Sequence, residues 1–332
     1  MQSLSYTQKL MQLGQLRRSI LGSKKYDDVK FTFKRNVRKM WNEHIETVYK
    51  SFITKFNAEY LTNFSSKVTM AGIKFCQLLE KAGFEDGDSA VYPGESPYSA
   101  YLFSKFRYTK SKFHVSSPTG GDFLYSSNSE KMNLHNPDWM RHKNNNINDE
   151  TFQEQLVNTR ADWLLCDIGT QSDDSQTDEL KPSTQKVAQI EILNSIYNVL
   201  SKNHTIEKDK PRVGMKGSVI KSYRIDDDDT LEVVRKIMSL YKHAELFTPI
   251  GSSENRDEVY IILKNKSVTK AFRPTSEDVF KMWYPFFERT YNYYANFKKN
   301  PNLFFDSTLF KSKMEKLKAT VDKIYDINFY RK

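Results

Sequence analysis

Met215–Ala244 reads MKGSVIKSYRIDDDDTLEVVRKIMSLYKHA. Its first part, GSVIKSY (217–223), is a short apolar run of strand type, and its last part, TLEVVRKIMSLYKHA (230–244), has the apolar spacing of a helix. Working outward, the same alternation recurs. Upstream, the helix MAGIKFCQLLEKAG ends at Gly83, and the strand SAVY (89–92) runs through PGESPYSAYLFSKF into a turn and a helix. KFHVSS (112–117) and ADWLLCDIG (161–169) read as two more strands, the second stopping at an acid, and QKVAQIEILNSIYNVLSK (185–202) as a helix. Downstream, EVYIILKN (258–265) is the last strand. Helices between short apolar strands predict an α/β domain with a mainly parallel central sheet, spanning residues 66–268.

Two polar connections interrupt the pattern, at residues 120–150 and 168–185. Both follow strand ends on the carboxyl side of the sheet, where α/β proteins place ligands, and long loops there are commonly functional. The flanks differ in character. Residues 1–65 read as a basic helical extension, with Val37, Met40, Trp41, Ile45, Val48, Phe52 and Phe56 near one face. Residues 269–332 form an aromatic-rich helical extension: SEDVFKMWYPFFERTYNYYANF opens with a capping Ser or Thr, and a last helix carries Phe310, Met314, Leu317, Val321 and Ile324 opposite its lysines.

The chain has 332 residues, 38% of them hydrophobic and 14% aromatic, enough to bury the core of a globular, soluble protein. Cys76 and Cys166 are too few for a disulfide framework, so buried thiols in a reducing, cytoplasmic setting are expected. No apolar run has the length of a signal peptide core or a membrane span, which predicts no membrane partner. The net charge of +10 is unevenly placed: 12 Lys and Arg against 5 Asp and Glu in residues 1–60, and 15 against 7 in residues 264–332, which leaves residues 61–263 at −5. Two basic ends around an acidic middle suit a polyanionic partner.

Four charged residues occupy special places in this pattern. Lys74 lies in the helix before the first strand, Asp167 ends ADWLLCD, Lys221 is set in an apolar strand, and Glu258 opens the last one. Lys221 is the most anomalous, since a lysine beside Val219 and Ile220 is costly to bury unless paired.

In these contexts, AGIKFCQLLEKAGFEDGDSAVYPGESPYSAYL, ADWLLCDIG, MKGSVIKSYRIDDDDTLEVVRKIMSLY and GSSENRDEVYII resemble the successive motifs of the FtsJ-like ribose 2′-O-methyltransferases, over roughly residues 70–265. The resemblance implies a Rossmann-like methyltransferase fold, S-adenosylmethionine as cofactor, and a catalytic Lys-Asp-Lys-Glu tetrad on Lys74, Asp167, Lys221 and Glu258. Lys221 would then sit nearest the 2′-hydroxyl and accept its proton as a neutral amine, favoured by burial and by the Lys74 ammonium, while the acids hold the lysines. The donor turn departs from the family pattern: Tyr92-Pro93-Gly94-Glu95-Ser96-Pro97-Tyr98-Ser99 has one glycine, and Glu95 stands in for a missing acid. Asp122 is placed to reach the adenine side, with Asn133, Asn136 and Asp138 as weaker candidates.

The implied substrate is RNA, capped mRNA in particular. KFTFKRNVRKMW (30–41) is the leading basic patch, with Lys30, Lys34, Arg35, Arg38 and Lys39 for phosphates and Phe31, Phe33 and Trp41 as stacking groups. The divergent donor turn suggests a viral source, in host cytoplasm or virion, and a possible replication or transcription protein as partner. It also keeps open a second reading, a non-catalytic methyltransferase-like RNA-binding or polymerase-associated subunit.

Overall fold

A computed structural model describes residues 4–60, 64–65, 69–94, 99–116, 140, 145–168, 182–202, 215–252, 257–266, 272–301 and 308–324. Helices α1 (Tyr6–Ile20), α2 (Lys24–His44), α3 (Glu46–Tyr60) and α4 (Met70–Ala82) lead to β1 (Ser89–Tyr92). Then follow α5 (Ser99–Arg107), β2 (Lys112–Val115), α6 (Glu150–Asn158), β3 (Trp163–Cys166), α7 (Pro182–Lys202), β4 (Gly217–Ser222), α8 (Asp228–Met238), β5 (Tyr241–Phe247) and β6 (Val259–Lys266). The chain closes with α9 (Ser276–Lys299) and α10 (Thr308–Ile324).

The six strands form one sheet in the order β2-β1-β3-β4-β6-β5. Strands β1 to β4 run parallel, while β6 runs antiparallel to both β4 and β5. This mostly parallel α/β sheet is compatible with a Rossmann-like fold.

Side-chain parity along the strands divides the interior into two cores. Ala90, Tyr92, Phe113, Val115, Trp163, Leu165, Val219, Tyr260 and Ile262 face one side, which is covered by the second half of α2 and by α3, α4, α5 and α10. Val91, Leu164, Cys166, Ile220, Val259, Ile261 and Leu263 face the other, under α1, α6, α7, α8 and α9. The helices at both chain ends therefore help build the cores. Tyr49 of α3 stacks on Phe103 of α5 at 4.4 Å, Tyr6 of α1 meets Phe280 and Phe287 of α9 at 5.2 and 4.9 Å, and Leu317 and Val321 of α10 are buried.

The segment read as one helix over 230–244 divides. Helix α8 stops at Met238, and Tyr241–Phe247 forms β5. The cause is tertiary: Val259–Leu263 of β6 is wholly buried, so its backbone groups need a strand on each side. One side is taken by β4, and β5 supplies the other, from Tyr241 opposite Lys266 to Phe247 opposite Tyr260. Helix α6, which the sequence reading did not identify, starts where Asp149 caps it by accepting from the Phe152 N–H at 3.0 Å. As expected, Cys76 and Cys166 are buried and form no disulfide, and burial pushes the Cys166 thiol up to about 12. No helix among the described residues is long and apolar enough to cross a membrane.

Tyr241 lies wholly inside the second core, and its hydroxyl has no hydrogen-bond partner among the described residues. Burial raises its pKa above the ordinary 10.0, so the fold favours the protonated phenol. Its contribution is intact below that ordinary value and is lost as pH rises beyond it, at about 1.4 kcal/mol per pH unit for one such group. Tyr241→Phe is predicted to leave stability at pH 8 within about 1 kcal/mol of wild type, because no hydrogen bond is lost. The variant is also predicted to lose less stability than wild type between pH 10 and 11.5, with urea denaturation at each pH as the check.

Candidate active site

The parity that builds the first core also places the four charged residues. Asp167 lies two positions beyond Leu165, Lys221 two beyond Val219, and Glu258 two before Tyr260, so all three extend rows that face α4. The reversal of β6 is decisive. In a parallel strand Glu258 would stand at the amino edge of the sheet; because β6 is antiparallel, with Val259 opposite Ser222, its start meets the carboxyl ends of β3 and β4. Helix α4 enters from the same edge, capped by Thr69, and carries Lys74 in its second turn.

Two ion pairs result. Lys74 Nζ lies 2.7 Å from Glu258 Oε1, with the side chains 13% and 2% exposed, and Lys221 Nζ lies 3.6 Å from Asp167 Oδ1, at 10% and 13%. Tyr260 joins them: its hydroxyl donates to Asp167 Oδ1 at 3.2 Å, and the Lys74 ammonium lies 5.8 Å from its ring centre. Burial, then the charges of Asp167 and Glu258, push the Tyr260 phenol well above its usual value, which keeps it a donor. The Lys221 ammonium also lies 5.2 Å from the Tyr223 ring centre. Ser252 donates its hydroxyl to Glu258 Oε1 at 3.1 Å, and its turn is tied to α4 because the Ile250 N–H donates to Gln77 Oε1 at 2.8 Å.

Tyr260 and Ser252 were not singled out from sequence. Tyr260 had a signal, since it shares a strand face with Glu258, but it reads as one more apolar residue of VYIIL. Ser252 had none, because its role depends on the fold of the turn before β6.

A second charged group shows the contrast. Asp88, Asp162 and Lys216 each stand just before a parallel strand, at the opposite edge of the sheet. Lys216 pairs with Asp88, which also accepts from Trp163 Nε1 at 2.8 Å, and Asp162 accepts from the Ser89 N–H at 2.9 Å. Lys216 is 53% exposed. Its carboxylate partners are used in holding strand starts, whereas the carboxyl-edge lysines are themselves withdrawn from solvent.

The turn after β1 is described only in part. Tyr92 is buried in the first core, its ring 5.1 Å from Phe75; Pro93 is buried; and Gly94 takes φ 72°, a left-handed angle that glycine tolerates. A Cβ on Gly94 would come within 2.5 Å of Ile168 Cγ1. The turns after β1 and β3 therefore abut where the strand order reverses, the usual ligand crevice of such sheets. Glu95, Ser96, Pro97, Tyr98, Asp122, Asn133, Asn136 and Asp138 lie outside the described residues, as does the Ser99 side chain at the start of α5. No group of three or more metal-ligating side chains occurs among the described residues.

In the basic patch on α2, Lys34, Arg35 and Lys39 are exposed and Lys30 is half-buried, while the Arg38 side chain lies outside the described set. One expectation is corrected here. Trp41 is wholly buried among Val37, Ile45 and Phe103, because α2 turns this stripe onto α5, and so it is no surface stacking group.

No protein-family model matches this chain, and no curated protein matches it significantly. The geometry itself yields a prediction. Removing one member of a buried ion pair leaves the other uncompensated, so Glu258→Ala should cost about 3 kcal/mol of stability. Adding Lys74→Met should recover at least half of that loss. Urea denaturation of the two single variants and the double variant reads the coupling; additive costs would show that the pair is not a unit.

Proposed function

We propose that the chain is an S-adenosylmethionine-dependent RNA ribose 2′-O-methyltransferase acting on the first nucleotides of capped mRNA. The observation that carries this reading is Lys221, a lysine set in a buried strand and held against Asp167, with the Lys74–Glu258 pair reached through Tyr260. A chain needing only stability gains little from two charged pairs inside a core, since well-packed apolar residues of similar volume commonly do as well.

S-adenosylmethionine supplies an electrophilic methyl group carried on positively charged sulfur. One residue present suits such a group: the Asp167 carboxylate at the carboxyl rim of the sheet, which would complement the positive charge. Lys221 would orient the ribose hydroxyl and, after first releasing its own proton to solvent, take up the hydroxyl's proton at Nζ as a neutral amine. Asp167 holds Lys221, Tyr260 holds Asp167, and Glu258 fixes Lys74 close to them. Orientation of the hydroxyl in this way removes much of the entropic cost of the attack. The basic chain ends supply phosphate contacts. A viral enzyme working in host cytoplasm or virion agrees with the divergent donor turn.

One observation favours the alternative of a non-catalytic RNA-binding or polymerase-associated subunit: the space left by Gly94 is taken by Ile168. Calorimetric titration with S-adenosylmethionine separates the two. The enzyme reading predicts saturable binding, retained within about threefold in Lys221→Ala, and a fall of about 10²–10⁴ in methyl transfer to capped RNA by that variant. Absence of binding at about millimolar donor, far weaker than a working cofactor site, would support the alternative.

A further inference from the structure

We propose that α2 and α10 together form a single-stranded RNA track that ends at the tetrad, with Phe31 as a base-stacking platform and Lys313 as the junction between the two helices. This rests on the reading of RNA as substrate and names the path by which it arrives.

Helix α2 is two-faced. Its apolar stripe carries Tyr26 and Val29 into the second core and Val37 and Trp41 into the first, with Phe33 half-buried against the latter. The opposite face exposes Lys34, Arg35 and Lys39, and in their midst Phe31 is 66% exposed. Lys34 and Arg35 stand three and four residues beyond Phe31, one turn along the same face. An aromatic ring with cations beside it suits a base on the ring and phosphates on the cations, and such a ring serves an unstacked base, hence a single strand.

Helix α10 ties the opposite, apolar stripe of α2 to the site. Lys313 of α10 is half-buried, with its ammonium 5.0 Å from the centre of the Phe33 ring and 3.4 Å from the Ser252 carbonyl oxygen, to which it donates. Ser252 in turn donates to Glu258. The stripe that packs α10 on α4, Leu317 and Val321, leaves Lys311, Lys316 and Lys318 exposed. The two basic ends of the chain, remote in sequence, thus meet beside the turn that holds Glu258. A fully acidic protein surface would satisfy the lysines but has no use for the exposed ring, which favours RNA.

Fluorescence anisotropy with a labelled uridine oligonucleotide, without methyl donor, tests the track. Phe31→Ala is expected to weaken binding about tenfold, and Lys34→Gln with Arg35→Gln to reduce the salt slope by about 1.4 for two lost phosphate contacts. Crosslinks from 4-thiouridine are expected within residues 308–324. All three surface changes spare the core, and circular dichroism checks that the fold is kept. Wild-type affinity in Phe31→Ala, or crosslinks that avoid α10, would overturn the track while leaving the methyl-transfer reading to its own assay with Lys221→Ala. Equal binding of an RNA duplex, or displacement of the oligonucleotide by polyglutamate at equal charge with Phe31→Ala silent, would overturn it too, the latter in favour of an acidic protein partner.

Discussion

Because β6 runs against its neighbours, its first residues stand where the parallel strands end. That reversal brings Glu258 to Lys74, and it sets Tyr260 opposite Lys221 and within reach of Asp167. The same strand is buried on both faces and so requires β5 at its free edge, which in turn ends α8 at Met238. Topology at one edge of the sheet and charge at its carboxyl rim are therefore one constraint.

The site is held by several hydrogen bonds and ion pairs acting together. Tyr260 is fixed by strand pairing and core packing, so its donation to Asp167 costs little further order. Glu258 accepts from both Lys74 and Ser252, and the Ser252 turn is pinned to α4 through Gln77 and to α10 through Lys313. Charges buried at this depth strengthen each other in a low-dielectric setting, and the same setting makes the loss of one partner expensive. Helix α10 contributes to the core through Leu317 and, through Lys313, holds the turn beside the charged cluster.

Much of this was legible in the amino-acid order, for reasons that can be named. SAVY is short, apolar and bounded by turn residues, and it became β1 over the same four residues. Lys221 advertised itself because nothing else in GSVIKSY is charged, and its pairing with Asp167 follows from two adjacent strands of equal parity. What escaped were features decided by distant partners. YKHAELF continues the helical spacing of α8, and only the need of β6 for a second neighbour makes it a strand. Trp41 reads alike as a stacking group or a core residue until α5 is placed against it. Ser252 has no signature at all outside its turn.

The proposed function requires this charged cluster to direct a methyl group to a ribose oxygen. Its most direct test is the chemical position of the product: capped RNA incubated with the protein and S-adenosylmethionine, digested to nucleosides and resolved by mass spectrometry. A methyltransferase of this kind is expected to give 2′-O-methylated nucleoside next to the cap. Methyl groups on a base, or no methylated nucleoside from protein that demonstrably binds both the donor and RNA, would contradict it.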